Sequence, residues 1–223
     1  MKTYRSIPGP SKAPMGQSCI AFMKWDGSNI RCEWSRKRGW YKFGTRHQMI
    51  DEKCPYFGPA IGVFKNTQAE GLEKVFIDNA NYRNVDNVIA FLEYFGPSSF
   101  GCYHDYTETF RLSLIDVEIP KKGFVLPSQF VKDFEHLDSA PVIYRGPFDD
   151  QFIEDVKNNK FNLKEGIVAK GVSPCKGLPV HGLWMCKIKT RWWMQELKRR
   201  AQESIEFKKL WEENKREQNE SSA

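Results

Sequence analysis

The pattern of apolar and polar positions predicts strands along most of the chain. They are expected at Ser18–Lys24, Asn29–Trp34, Trp40–Thr45, Phe110–Ile119, Val142–Tyr144, Gly166–Lys170 and Leu183–Ile188. The basic segment 36–39 separates the second and third of these and predicts a hairpin tip. Asn87–Phe95 is apolar almost throughout, so it fits either a buried strand or the end of a helix.

Helical spacing of apolar residues appears between and after these strands. Helices are expected at Gly58–Asn81, Ser128–Leu137, Asp149–Asn158 and Trp192–Arg216. Ser128 is the expected N-cap of the second helix. The first seventeen residues contain three prolines and two glycines, which predict an irregular segment. Because strands and helices do not alternate regularly, the order favours an α+β fold over a doubly wound sheet.

Composition fits a water-soluble globular protein. Of 223 residues, 40% are hydrophobic and 28% charged, which excludes general disorder and a fibre. No apolar run approaches the roughly 20 residues that span a bilayer, and the N-terminus lacks the apolar core of a signal peptide. The six cysteines are scattered without a C-x-x-C pair, so we expect reduced thiols and a cytoplasmic location.

Basic charge is concentrated in two places. The formal net charge is +6, and residues 24–46 and 187–216 each carry a local net charge of +5. Tryptophans are interleaved with the charges in both segments. This pattern fits a solvated face and a phosphate-binding track equally well.

Three short motifs carry candidate chemistry. Lys24–Asn29 reads K-W-D-G-S-N, Glu165–Lys170 reads E-G-I-V-A-K, and Lys187–Lys189 reads K-I-K. At ordinary residue usage, K-x-D-G alone arises in roughly one chain in twenty of this length and E-G-x-V-x-K in well under roughly one in a hundred. Each has an ordinary structural explanation in isolation: Asp26 and Gly27, for example, would fit a type I′ hairpin turn. Their joint occurrence in this order argues for a shared site.

In this order the motifs resemble those of ATP-dependent polynucleotide ligases and mRNA capping enzymes. Phe91–Gly96 (F-L-E-Y-F-G) resembles an intermediate motif of that superfamily, and Leu114–Val117 resembles the strand that packs on the adenine. The resemblance implies a nucleotidyltransferase domain of antiparallel sheets flanked by helices, with ATP as the cofactor. The nucleotide-binding residues that it implies are Lys24, Asp26, Gly27, Arg46, Glu93, Ile115, Glu165, Lys170, Lys187 and Lys189.

The chemistry of adenylate transfer explains why these residue types occur together. A lysine attacks the α-phosphorus of ATP only as the neutral amine, and at a pKa of about 10.4 only roughly 0.04% is neutral at pH 7. Nearby cations disfavour the charged form of Lys24. Lys187 and Lys189 alternate along one strand, so both can face Lys24 and the triphosphate. Glu165 and Asp26 supply hard oxygen ligands for Mg²⁺ or Mn²⁺.

The resemblance also implies roles for residues outside the three motifs. Glu93 would bind the ribose hydroxyls, Arg46 a phosphate, and Asn29 the neighbourhood of the α-phosphate and the acceptor end. Ile115 stands where relatives often have an aromatic residue, so it would cover the adenine with an aliphatic side chain.

Asn29 distinguishes branches of the superfamily. DNA ligases and capping enzymes usually have arginine five residues after the nucleophilic lysine, whereas K-x-D-G-[ST]-N resembles RNA ligases that seal nicks in duplex RNA. We therefore expect an RNA ligase acting on nicked duplexes or broken ends, with a small DNA ligase, a guanylyltransferase and a catalytically idle RNA-binding relative as alternatives. The expected organisation is a catalytic domain over residues 1–190 and a basic C-terminal helix and tail over 191–223. We expect a monomer, and a ligase this compact would suit a phage.

Overall fold

Ten strands and six α-helices are present among residues 3–96, 109–173, 183–203 and 205–219, which the computed structural model describes. The strands are β1 (Ser18–Lys24), β2 (Ser28–Ser35), β3 (Gly39–Thr45), β4 (Met49–Ile50), β5 (Asn87–Phe95), β6 (Arg111–Ile119), β7 (Gly123–Phe124), β8 (Val142–Pro147), β9 (Gly166–Gly171) and β10 (Met185–Lys189). The helices are α1 (Gly58–Thr67), α2 (Ala69–Asp78), α3 (Pro127–Phe134), α4 (Asp150–Lys157), α5 (Arg191–Arg200) and α6 (Ile205–Asn219).

The described residues fall into two compact units. The first contains residues 3–5, 26–96 and 109–140, and the second contains residues 6–25, 141–173 and those from 183 onwards. Each unit is built on its own antiparallel sheet, of order β4-β3-β2-β5-β6-β7 in the first and β10-β9-β1-β8 in the second. The architecture is therefore α+β with antiparallel sheets, as the sequence predicts.

Helices α1, α2 and α3 cover one face of the six-stranded sheet. Alternation along β2 directs buried Trp34 toward this face, where its ring lies 5.4 Å from that of Phe76 in α2. Phe76 in turn contacts Phe134 of α3, with 6.2 Å between the ring centroids. These aromatic contacts form the core of the first unit.

A buried carboxylate fixes the connections between these helices. Asp133 of α3 accepts hydrogen bonds from Asn79 Nδ2 at 2.8 Å, Tyr82 Oη at 3.0 Å and Gln129 Nε2 at 2.6 Å. Burial raises the pKa of the Tyr82 phenol, and the charge and hydrogen bond of Asp133 raise it further.

The four-stranded sheet separates small apolar side chains from lysines by simple alternation. Cys19, Ala21, Ile167 and Ala169 point toward one face and pack in a buried cluster with Phe152 of α4. Asp149 caps α4, since its side chain accepts the Phe152 N–H at 2.8 Å. The opposite face is left for the lysines described below.

Most predicted elements are confirmed, and the ambiguous stretch Asn87–Phe95 is strand β5. Three expectations are wrong. The helix expected over Gly58–Asn81 is divided at Gln68 into α1 and α2, and α2 ends at Asp78. The expected N-cap at Ser128 is wrong, because Pro127 already occupies the first turn of α3 and Leu126 precedes it. The single C-terminal helix is wrong as well, because the turn at residues 201–203 separates α5 from α6.

The four described cysteines are free thiols, and one of them, Cys54, is half-buried. Cys19, Cys32 and Cys186 are buried free thiols, and Cys102 and Cys175 lie outside the described residues. Within the described part of the chain, no helix combines the length and apolar character that crossing a membrane requires.

Candidate active site

Strand register brings three charged residues of the second unit to one end of the four-stranded sheet. Lys24 ends β1 and lies opposite Gly166, the first residue of β9. On the other side of Gly166, Lys189 lies opposite it as the last residue of β10. A β-carbon on Gly166 would be 2.0 Å from the Ile188 carbonyl oxygen, so the close approach of these strands requires glycine. Glu165 immediately precedes this row.

Glu165 bridges the two lysines. Its Oε2 atom is 2.8 Å from Lys24 Nζ, and its Oε1 atom is 2.6 Å from Lys189 Nζ. The Glu165 side chain is 2% exposed and that of Lys189 8%, while Lys24 keeps 22% exposure. A carboxylate buried between two ammonium groups is thus the centre of the site.

The pKa values of Glu165 and Lys189 are both lowered, for different reasons. Burial raises the pKa of Glu165, but the charges of Lys189 and Lys24 outweigh it and favour the carboxylate. Burial lowers the pKa of Lys189 to about 8, and the like charges of Lys24 and Lys187 lower it as well. The charge of Glu165 acts in the opposite direction but is outweighed. Glu165 has two neighbouring cations, which favour its charged form. Lys189 has one neighbouring anion and two neighbouring cations, so its surroundings favour its charged form less.

Two further predicted lysines lie on the same sheet face. Lys187 is half-buried two residues before Lys189, and its backbone N–H donates to the Pro8 carbonyl at 2.9 Å. Lys170 is buried further along β9, where its Nζ lies 4.7 Å from the centre of the Phe22 ring. Lys187 therefore joins the charged end of the sheet, while Lys170 lies away from it.

The remaining predicted residues belong to the first unit: Asp26, Gly27, Asn29, Arg46, Glu93 and Ile115. Asn29 lies opposite Glu93, and Glu93 lies opposite Ser113, so the three occupy one row across β2, β5 and β6. Both polar atoms of the Asn29 amide are buried and have no hydrogen-bond partner among the described residues. Such an amide is costly to bury unless a ligand or solvent pairs with it.

Backbone features explain the other positions in the first unit. Ile115 stands at the register shift of β6, where Leu114 pairs with Leu92 and Asp116 pairs with Phe91. A β-carbon on Gly27 would be 2.4 Å from the Tyr94 carbonyl oxygen, so this approach also requires glycine. The hairpin explanation for Asp26 and Gly27 is wrong, because β1 and β2 belong to different sheets.

Arg46 is presented on an exposed turn between β3 and β4. Thr45 Oγ1 shapes that turn by accepting the backbone N–H groups of His47 and Gln48, each at 3.2 Å. The guanidinium is therefore available at the surface of the first unit.

Sequence reasoning missed residues that surround the predicted ones. Tyr4, within the segment expected to be irregular, is buried and donates to Asp116 Oδ2 at 2.5 Å. Trp193 is 2% exposed, and its ring centre lies 3.7 Å from Lys189 Nζ. The sequence signal for Trp193 is its position four residues after Lys189.

The basic C-terminal segment is partly neutralised by its own acidic residues. In α5, Arg200 Nε lies 3.0 Å from Glu196 Oε1, and Arg199 pairs with both Glu196 and Glu203. Arg191 pairs with Glu154 of α4 at 2.6 Å. These ion pairs reduce the charge that the segment can offer to phosphates.

Solved structures of Naegleria gruberi RNA ligase share this fold, although no family model matches the chain and no curated protein matches its sequence. An apo variant superposes with a TM-score of 0.65 at 15% identity, over 89% of this chain and 58% of that one. A variant with ATP and Mn superposes with a TM-score of 0.63 at 13% identity, over 87% of this chain and 58% of that one. The ligase with PPi superposes with a TM-score of 0.62 at 14% identity, over 90% of this chain and 59% of that one. The chain thus spans a little over half the length of these structures. Its fold is that of an RNA ligase nucleotidyltransferase.

Proposed function

We propose that this chain is an ATP-dependent RNA ligase that acts through a covalent lysyl-AMP on Lys24. The observation that carries the proposal is the cluster of Lys24, Glu165 and Lys189, in which three residues from separate motifs meet within ion-pair distance. The shared fold supports it. Because the matched structures are longer, the activity and substrates of the whole protein are part of the proposal.

The first step is attack of the Lys24 amine on the α-phosphorus of ATP. A P–N bond forms, the bond to the pyrophosphate oxygen breaks, and Lys24 must first lose its proton. In the structure the Lys24 ammonium is held 2.8 Å from Glu165, so this ion pair has to open before the attack. Lys187 and Lys189 stabilise the negative charge that builds up on the pyrophosphate.

The predicted metal ligands Glu165 and Asp26 suit a divalent cation that is also held by substrate phosphates and water. Among the described residues there is no group of three or more His, Cys, Asp or Glu side chains that could hold a metal ion. Mg²⁺ often binds through only one or two carboxylates together with substrate phosphates and water, so each of Glu165 and Asp26 has the chemistry of such a ligand. When bound, Mg²⁺ or Mn²⁺ would neutralise phosphate charge.

We propose further nucleotide and RNA contacts for residues of the first unit. We assign Glu93 to the ribose hydroxyls, Ile115 to the adenine face, Arg46 to a phosphate, and Asn29 to the α-phosphate and the 3′-hydroxyl end. The unpaired amide of Asn29 supports its assignment, since a polar ligand would satisfy it. Gly27 keeps the backbone before Asn29 close to β5.

The later steps transfer AMP from Lys24 to a 5′-phosphate on RNA and then join the strands. A 3′-hydroxyl attacks the adenylated end, the phosphodiester forms and AMP leaves. The catalytic domain of this proposal covers residues 1–190. Residues 191–223 add RNA phosphate contacts through exposed lysines such as Lys198 and Lys208.

A nick-sealing assay on matched duplexes tests the substrate. RNA, DNA and mixed nicks with a labelled 5′-phosphate are incubated with the protein, Mg²⁺ and either ATP or GTP. We expect sealing of the RNA nick with ATP and its loss in Lys24→Ala. Preferred sealing of DNA nicks would identify a DNA ligase, transfer of GMP to the protein would identify a guanylyltransferase, and RNA binding without nucleotide transfer would identify an idle relative.

A further inference from the structure

The first turn of α5 is tied directly to the motif that contains Glu165. The Thr190 N–H donates to the Glu165 carbonyl oxygen at 2.9 Å, so the residue before α5 continues the strand pairing. The Thr190 hydroxyl is fully buried and accepts the Trp193 N–H at 3.1 Å as the N-cap. Position and orientation of Trp193 are therefore set by the same backbone that sets Glu165.

Trp193 presents its ring face to the Lys189 ammonium. The distance from Nζ to the ring centre is 3.7 Å, well inside the range of about 6 Å for a cation–π contact. Both residues are buried, with Trp193 2% exposed and the Lys189 side chain 8% exposed, so water screens the contact very little. Tryptophan is the aromatic residue that favours this interaction most.

The ring and the carboxylate together restrict the Lys189 ammonium. Glu165 Oε1 accepts from it at 2.6 Å, and the indole face lies 3.7 Å away. A lysine side chain otherwise has large rotational freedom, and a misplacement of about 1 Å in a catalytic group can cost about 100-fold in rate. Core packing alone requires an apolar side chain at position 193, but it does not require an aromatic face against a cation.

We infer that Trp193 is a positioning residue for adenylate transfer, which holds the Lys189 ammonium beside Glu165 and makes α5 part of the reaction machinery. The inference rests on the proposed function. It predicts that loss of the ring slows formation of the lysyl-AMP more than it weakens ATP binding, and that a smaller aromatic ring rescues much of the rate.

Single-turnover transfer of labelled AMP to the protein tests this with Trp193→Leu and Trp193→Phe. The matched control is Trp184→Leu, since Trp184 is also buried in the second unit. Its ring centroid lies 5.3 Å from that of Phe148 and its indole N–H donates to Gln17, so its contacts are with residues other than Lys189. We expect the maximal rate constant to fall about 10- to 30-fold in Trp193→Leu, with a smaller change in half-saturating ATP. Trp193→Phe should recover most of the rate, and Trp184→Leu should keep it despite a similar loss of thermal stability.

A spectroscopic measurement tests for the contact between the Trp193 ring and Lys189 without relying on activity. The ring current of Trp193 should shift the ε-methylene protons of Lys189 upfield in the NMR spectrum of the labelled protein, with Lys189→Arg used for assignment. The shift should shrink in Trp193→Phe.

Two results would overturn the inference. One is an unshifted Lys189 resonance in the wild-type protein. The other is equal loss of rate in Trp193→Leu and Trp184→Leu at equal stability. Failure of the proposed function looks different, because then the wild-type protein itself takes up no label at Lys24.

Discussion

Replacing Glu165 by glutamine removes the anion between two lysines, and the structure allows the cost to be estimated. Two unit charges 2.6 Å apart, as for Glu165 and Lys189, attract by about 6 kcal/mol at an effective dielectric constant of about 20. Desolvation of the pair offsets much of this, yet removing one partner of a buried pair costs about 3–5 kcal/mol because the other charge stays buried. We therefore expect Glu165→Gln to lower the free energy of unfolding by about 3–5 kcal/mol.

A double-mutant cycle separates this pairing from other effects of the substitution. In Glu165→Gln/Lys189→Met both charges are gone, so the loss should be smaller than the sum of the single losses by about 1–3 kcal/mol. Urea unfolding followed by two spectroscopic probes measures each value. The control cycle uses Lys65 and Glu52, which are also 2.6 Å apart but more than half exposed, and should show coupling below about 1 kcal/mol. Additivity at the buried pair within about 0.5 kcal/mol would refute the reasoning.

Three further predictions concern stability and backbone packing. Asp133→Ala leaves the buried Tyr82 hydroxyl and the half-buried amides of Asn79 and Gln129 without their acceptor and should cost about 2–3 kcal/mol in urea unfolding, and a loss below about 1 kcal/mol would contradict this. Because the pKa of Tyr82 is raised in the folded state, stability should fall as the pH rises above about 10, and Tyr82→Phe should flatten that slope; an unchanged slope would argue against it. Gly166→Ala places a β-carbon 2.0 Å from the Ile188 carbonyl oxygen and should abolish labelling by ATP and lower the melting temperature, whereas Gly62→Ala, with nothing within 4 Å, should do neither. A fully active Gly166→Ala variant would show that the strands tolerate a wider spacing.

Local pattern predicted most of the sheet framework because strand periodicity and turn residues are local properties. The β2–β3 hairpin follows from two apolar stretches around a basic tip, and α4 (Asp150–Lys157) lies within the range expected for that helix from its apolar spacing. Asn87–Phe95 was ambiguous because β5 lies between β2 and β6 and is buried almost throughout, which removes the alternation that identifies a strand.

Features that depend on distant contacts were not predictable in the same way. The break between α5 and α6 occurs without glycine or proline, and the sequence around residues 201–203 has ordinary helical composition. Tyr4 is buried because its phenol reaches Asp116, which is 112 residues away. The motifs indicated that Lys24, Glu165 and Lys189 belong together, but the ion-pair geometry and the ring of Trp193 depend on strand register and on the start of α5.

The most direct test of the central claim is covalent labelling of Lys24. Protein stripped of bound AMP with pyrophosphate is incubated with α-³²P-ATP and Mg²⁺, separated by denaturing electrophoresis and digested for mass spectrometry. We expect a labelled wild-type protein with AMP on the peptide containing Lys24, and no label in Lys24→Ala. Absence of label in the wild-type protein, or AMP on another residue, would contradict the account.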